Sequence, residues 1–299
     1  MERSIQIKII KDSKILTTYE GSFVISNTTT LKTLKELCRK RFSLSYPEEK
    51  IRESILLDGK EISDKRVIPQ QGFLEYLLCW EAFTPPYKLG RQPILDKRDL
   101  QYLLPKKIQA PSSKKQHLKL WESEGWWGDQ GTTPECVGYA WAHWLDDQPK
   151  HKNLQHPLIP PTTIYLGAQK LDEWKGEQYE GTSVRGGVKY LRIKNKVSKY
   201  QWGFTLNSLI GAVFHLGPVV VGTPWYYHMF FPNKTGLIKV GGANLGGHAY
   251  LINGIDLNKK RFRIKNSWGK DWGLGGHAWI HFTDMARLIR EGGEICYAS

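Results

Sequence analysis

The 299-residue chain is poor in sulfur, with only four cysteines and three methionines. Cys38, Cys79, Cys136 and Cys296 have no paired Cys-x-x-Cys spacing, so neither a zinc site nor a disulfide framework is expected and no metal or organic cofactor is implied. Long apolar runs are also missing. Nothing approaches the roughly 18 uninterrupted apolar residues of a membrane-spanning helix, so no membrane partner is expected. The segment after Met1-Glu2-Arg3, residues 5–10, is interrupted by polar residues in a way that does not suit a signal-peptide core; the expected location is the cytoplasm. Acidic residues number 29 against 43 basic ones, and +10 of the net +14 falls in residues 151–299, concentrated in 185–199 and 259–270. Such patches can steer acidic ligands or nucleic acid. With no nucleic-acid fold motif beside them they read as a solvated face, and nucleic acid is not expected as a partner.

The length suits two domains of ordinary size. In residues 1–80, segments 5–10 and 16–25 read as strands joined by a polar turn at 11–14. Thr28 to Thr30 offer N-caps for a helix along which Leu31, Leu34, Leu37, Cys38 and Phe42 recur at helical spacing. A strand running into an Asp-Gly turn (55–62) and a last strand (73–79) complete the series. Strand, strand, helix, strand, turn, strand is the order of a β-grasp, and the segment resembles a ubiquitin-like domain. That resemblance implies a protein partner that the domain recruits or a regulatory role. Residues 81–92, with Pro85, Pro86 and Gly90, have the composition of a connector.

The second part, 93–299, is organised around residues 130–145. Cys136 follows a Gly/Thr/Pro turn and opens a run whose apolar residues lack strand alternation and suit a buried helix. A thiol at a helix N-terminus faces exposed N–H groups and the positive end of the dipole, which favour the thiolate. A thiolate nucleophile needs an imidazole and a group to orient it. Segments 246–253 and 261–269 look like two strands of a hairpin turning at 256–260, and the midpoint of His248 and Asn266, residue 257, falls inside that turn. The two side chains would then oppose each other directly on one face of the ladder.

These residues resemble the papain-like cysteine peptidases. Gln130, six residues before Cys136, corresponds to the oxyanion-hole glutamine, Cys136 to the nucleophile, His248 in Gly-Gly-His-Ala to the general base, and Asn266 in Asn-Ser-Trp-Gly to its orienting partner. Trp268 corresponds to the tryptophan shielding the His–Asn bond and Trp272 to one beside the primed subsites. Gly186 and Gly187 resemble the pair that hydrogen-bonds an extended substrate. Gly222 and Ala249 would border the S2 pocket, where small residues admit a bulky apolar P2 side chain.

The resemblance implies an α+β fold: an N-terminal β-grasp, then a two-lobed papain-like domain with a helical lobe and a β-barrel-like lobe. It implies acyl transfer from a peptide or isopeptide to the Cys136 thiol, and a protein or peptide substrate. Residues 96–99 resemble the strand segment at the start of bacterial-type members, and the divergent bacterial and phage members are the nearest in pattern. Val137 replaces the family's usual tryptophan, and Glu135 puts a carboxylate beside the nucleophile, which would oppose ionisation if it pointed inward. Thr133 and Val184 stand where many relatives carry a disulfide pair, which fits a reducing compartment. No helical propeptide is evident, so any masking of the cleft would fall to the first domain or the connector. His277, also in Gly-Gly-His-Ala, and His143, about 10 Å along the helix from Cys136, are not read as the base. A non-catalytic peptide-binding adaptor and an isopeptidase or acyl transferase of a ubiquitin-like system are the competing classes.

Overall fold

The computed structural model describes residues 2–11, 14–24, 33, 34, 36, 51–57, 60, 61, 74–80, 85–94, 96–104, 117–121, 126–147, 157–176 and 178–299. The chain divides into two compact units, Met1–Thr84 and Pro85–Ser299.

In the first unit the period-two alternation of Ile5, Ile7 and Ile9 lies on β1 (Glu2–Lys11), which pairs antiparallel with β2 (Lys14–Val24). Strands β3 (Ile51–Leu57) and β4 (Lys60–Glu61) flank the Asp-Gly dipeptide, with Leu57 opposite Lys60. Strand β5 (Leu74–Trp80) runs parallel to β1 and antiparallel to β3, giving the order β2-β1-β5-β3-β4. The parallel β1/β5 pair requires a crossover between them. Thr33, Leu34 and Glu36 are helical and Leu34 is buried; the rest of the expected helix at 31–42, Cys38 included, lies outside the described residues.

The second unit packs helices against a seven-stranded sheet. Helix α1 (Cys136–Asp146) is apolar on every side and buried at every position except Tyr139, as a helix between two layers must be. Its Trp141, Trp144 and Leu145 share one core with Ile164 of α2 (Pro161–Gln169), Val184 and Val188 of α3 (Val184–Ile193), and Val220, Ala249 and Leu251 of the sheet. Gly138 permits the α1–α2 contact, because a Cβ there would sit 2.3 Å from the Pro161 carbonyl oxygen. Helix α2 starts at Pro161, since a proline at the first helical position loses no hydrogen bond. Thr205 caps α4 (Leu206–Gly211), and the chain continues as a π-helical turn, Ala212–Leu216, before Gly217 and Pro218.

The sheet's members are β6 (Leu118–Leu120), β7 (Tyr200–Gly203), β8 (Val219–Tyr226), β9 (Asn244–Asp256), β10 (Arg261–Lys265), β11 (His277–His281) and β12 (Glu294–Ala298). They run in the order β11-β10-β9-β8-β12-β7, with β6 pairing with the far end of β9. Helix α5 (Phe282–Arg290) links the last two. Residues 96–99, expected as extended chain, lead instead into a 3₁₀ turn, Lys97–Gln101: the bonds Asp99 N→Asp96 O and Tyr102 N→Asp99 O tighten it, and Asp99 is buried against the Arg185 guanidinium. Three of the basic residues read as a solvated patch are internal, Arg185, Arg263 and Lys265. No helix among the described residues is long and apolar enough to cross a membrane.

Candidate active site

Cys136 is the first residue of α1 and His248 lies on β9 opposite Thr223 of β8. Asn266 directly follows β10. The hairpin register differs from a uniform one: pairs Arg261↔Asp256 to Arg263↔Gly254 give way to Ile264↔Ile252 and Lys265↔Leu251, leaving Asn253 as an extra residue in β9. In the first register Asn266 would continue opposite Leu251, on the face away from His248. The bulge moves it opposite Tyr250, which shares the face of His248. The direct opposition expected from the sequence is therefore a diagonal one, and the side chains bridge it with His248 Nε2 2.8 Å from Asn266 Oδ1. Asn266 Oδ1 also accepts from Ser267 N at 2.9 Å, so it is the acceptor and His248 Nε2 carries the proton. His248 Nδ1 has no hydrogen-bond partner among the described residues.

Aromatic rings enclose the imidazole. Trp268 stacks on it with centroids 4.7 Å apart, Trp225 meets it edge-on at 4.8 Å, and Trp272 abuts Trp268 at 5.3 Å while donating to Phe230 O. Trp225 lies in the apolar segment 219–227 and belongs to no sequence motif that marks the site.

Gln130 is tied to the same loop. Its backbone N donates to Ser267 O at 2.8 Å, its Oε1 accepts from Ser267 Oγ at 2.5 Å, and its Nε2 is left to point at carbonyls. Glu135 does not oppose the thiol from within: it turns out to accept from Thr162 Oγ1 at 2.8 Å on α2. Val137 is fully buried in the core.

Residues 85–92, expected as the end of a connector, are packed along this site. Tyr87 lies on Trp268, Lys88 O accepts from Gln130 Nε2 at 2.9 Å, and Lys88 Nζ pairs with Glu180. Gly90 passes so close to Pro134 that a Cβ would fall 1.9 Å from its carbonyl oxygen. Thr182 N donates to Gly90 O and Gln92 N to Thr182 O, both at 2.9 Å, while Arg91 N donates to Gly247 O at 3.0 Å. One strand of the chain's own backbone thus bridges the helical side and β9 directly over Cys136.

The electrostatics follow from that closure. Burial pushes the Cys136 thiol up to about 11, against backbone hydrogen bonds from Ala249, Gly90 and Val137 that favour the anion. Burial likewise holds His248 down at about 4, outweighing the Asn266 bond. The helix N-terminus alone was expected to favour a thiolate; with water excluded, desolvation wins and both groups are neutral. His143 Nε2 accepts from Gly128 N at 3.1 Å and its pKa is lowered well below the usual range by burial, and His277 is brought to about 3 by burial and by Arg263 and Lys265.

Two expectations are corrected. Gly186 and Gly187 do not reach the cleft: they lie in the first turn of α3, where Ser183 Oγ accepts from Gly186 N at 2.9 Å and added Cβ atoms would meet Ala168 O at 2.8 Å and Trp141 Cδ1 at 2.3 Å. The extended-chain partner is Thr182. Nor are the surroundings of Gly222 and Ala249 apolar throughout, because Gly222 stands opposite Glu294 of β12, which accepts from Arg91 Nε.

Residues 165–290 match the family model described as papain family cysteine protease. An uncharacterized peptidase C1-like protein of Acanthamoeba polyphaga mimivirus is 32% identical over 114 residues, 34% of each chain, so the match spans about a third of that relative. Xylellain, a cysteine protease from Xylella fastidiosa, has a similar structure: TM-score 0.56 at 19% identity, over 73% of this chain and 98% of xylellain. The second unit has the papain-like α+β fold, and the family match supports a cysteine peptidase.

Proposed function

We propose that the chain is a latent cysteine peptidase that hydrolyses peptide bonds with Cys136 as nucleophile, His248 as base and Asn266 as the residue that orients it. The observation that carries this reading is the buried 2.8 Å bond between His248 Nε2 and Asn266 Oδ1 under the Trp268 ring. With Nε2 protonated toward Asn266, Nδ1 is the nitrogen free to take the thiol proton. Once the 87–92 segment leaves, water and substrate re-enter and the penalty on both charges falls, so the thiolate–imidazolium pair becomes accessible.

In the reaction Cys136 Sγ attacks the scissile carbonyl carbon, and the oxyanion is held by Gln130 Nε2 and the backbone N–H of Cys136. Gln130 Nε2 already donates to one carbonyl of the masking segment, Lys88 O, which is the interaction such a role requires. His248 gives its proton to the leaving amine, then takes one from the water that releases the acyl group. Thr182 supplies backbone N–H and C=O for an extended substrate. Trp268 and Trp272 keep water from the His–Asn bond.

The first unit is a ubiquitin-like domain in this reading, supported by its strand order, and recruits a protein partner or regulates the enzyme. Thr133, Val184 and the unpaired, buried Cys296 fit a reducing cytoplasm.

The test is mass-spectrometric labelling of Cys136 in the full chain by an epoxysuccinyl probe, with and without Arg91→Ala to loosen the segment. Labelling of the loosened chain that persists below about pH 6 and disappears with His248→Ala supports the pair, since a free thiol is protonated there. Labelling that only follows ordinary thiol titration in both chains would refute it.

A further inference from the structure

The pocket beside the nucleophile has an acidic floor with a cation already in it. Ala249, Gly222 and Glu294 are consecutive cross-strand partners on β9, β8 and β12, so their side chains share one face in a row. Gly222 contributes no side chain, and the row therefore has a gap in its middle. Arg91 fills that gap. A Cβ on Gly222 would lie 2.7 Å from Arg91 Nε, 3.0 Å from Glu294 Oε1 and 3.0 Å from Val184 Cγ2. Arg91 Nε donates to Glu294 Oε1 at 3.0 Å and Nη2 donates to Gly292 O at 2.9 Å, with both side chains of the pair at least 96% buried.

Arg91 is the neighbour of Gly90, whose backbone hydrogen-bonds Cys136, and its own backbone is held between Thr182 and Gly247. It therefore stands where a P2 side chain would. An open cavity of about 730 Å³ runs on from this point, lined by residues 89–94 of the segment, by the β9 residues from Asn244 to Gly247, and by Glu291, Gly292 and Glu294.

From this arrangement we infer that the enzyme selects a basic residue at P2, arginine above lysine, with Glu294 as the specificity-determining carboxylate and Gly222 as the opening that admits the guanidinium. The inference rests on the peptidase reading and names its substrate class. Its physical basis is desolvation. When Arg91 leaves, a buried carboxylate is without its cation, and a cationic substrate side chain restores the pair while an apolar one leaves it unmatched. A guanidinium serves both diverging acceptors, Glu294 Oε1 and Gly292 O, from one planar group; an ammonium matches that geometry less well. A site built around a buried polar group rejects an analogue lacking its partner far more strongly than an apolar pocket rejects a missing methylene. The apolar P2 preference suggested by Gly222 and Ala249 alone is replaced by this one.

The experiment uses the full chain carrying Arg91→Ala and peptidyl acyloxymethyl ketones with glycine at P1 and Arg, Lys, Gln or Leu at P2. Cys136 labelling is expected to rank Arg, Lys, then Gln and Leu, with Arg over Leu by at least about tenfold. Adding Glu294→Gln should collapse that ratio to near unity or reverse it. A Leu preference in the first chain, or an Arg preference that survives Glu294→Gln, overturns the inference. If Glu294→Gln does not fold, Gly222→Ala in the Arg91→Ala chain should slow the P2-Arg probe more than a P2-Gly probe, and equal slowing overturns it. Failure of every probe to label Cys136 overturns the peptidase reading instead. Calorimetric binding of acetyl-Arg-Gly-amide to the Arg91→Ala chain then decides the pocket's selectivity: binding lost with Glu294→Gln supports it, and no binding or unchanged binding sinks it.

Discussion

Tyr87 lies flat on Trp268, ring centroids 4.5 Å apart at 5°, and Trp268 also stacks on His248 at 4.7 Å. The segment that passes over Cys136 is thus anchored on the ring stacked against the His248 imidazole. A stacked aromatic pair contributes about 0.5–1.5 kcal/mol beyond area burial. Tyr87→Ala should therefore raise the rate of Cys136 alkylation in the full chain by roughly three- to tenfold, because each 1.4 kcal/mol is a factor of ten in the open population. Peptide mapping after timed iodoacetamide exposure measures it. An unchanged rate would show that this end of the segment does not limit access.

Gln130 offers a second prediction with a built-in control. Losing one oxyanion donor typically lowers kcat by about 10² to 10³. Gln130→Ala should fall in that range with little change in melting temperature. Ser267→Ala keeps the donor but removes the 2.5 Å hydroxyl contact that fixes Gln130 Oε1. Its kcat should fall by a smaller factor, about three- to tenfold, with KM nearly constant. Turnover near the parent rate for Gln130→Ala would exclude its oxyanion role.

Acid stability follows from the histidines. His248 and His277 are held neutral by burial, at about 4 and about 3, and His143 is depressed as well. In the unfolded chain each binds a proton near pH 6.5. Below that value the unfolded state carries more protons than the folded one, so stability is complete above about pH 6.5 and is lost as pH falls toward 4. Each histidine contributes a slope of up to about 1.4 kcal/mol per pH unit in that window. Urea midpoints measured at intervals between about pH 7 and pH 5 should fall steadily, and His277→Gln should flatten the slope. A midpoint independent of pH there would contradict neutral buried imidazoles.

Several parts of this arrangement were legible in the sequence because they are local. A thiol opening an apolar run, a Gly-Gly-His strand and an Asn-Ser-Trp-Gly strand end could each be recognised within a few residues. The bulge at Asn253 could not, since nothing in residues 251–256 distinguishes the extra residue until its partners on β10 are known. Gly186 and Gly187 misled for a similar reason: glycines suit both a substrate-binding strand and a helix turn pressed under Trp141, and only packing decides. Ser183, three residues before Gly186, was the available cue that a helix starts there. Arg91 and Glu294 are 203 residues apart and carry no shared motif, so their pairing is visible only in three dimensions.

The buried ion pair of Asp147 and Lys265 yields the last prediction. Their 2.7 Å bond lies wholly out of solvent, and Asp147 Oδ2 also accepts from Asn253 Nδ2 at 2.9 Å. Asp147 follows the helix that begins at Cys136, Lys265 immediately precedes Asn266, and Asn253 is the bulge residue that brings Asn266 to the face of His248. The pair therefore joins the far end of the helix that begins at Cys136 to the two features that bring Asn266 to the His248 imidazole. Removing one member strands a buried charge at a cost of about 3–5 kcal/mol, whereas replacing both with apolar residues of similar volume is often close to neutral. Lys265→Met should lower the urea-unfolding free energy by that amount, and Asp147→Leu with Lys265→Met should recover most of it. If the double variant regains stability but Cys136 labelling in the Arg91→Ala background stays slow, the pair acts in positioning Asn266. If labelling recovers fully with stability, its contribution is to the fold alone.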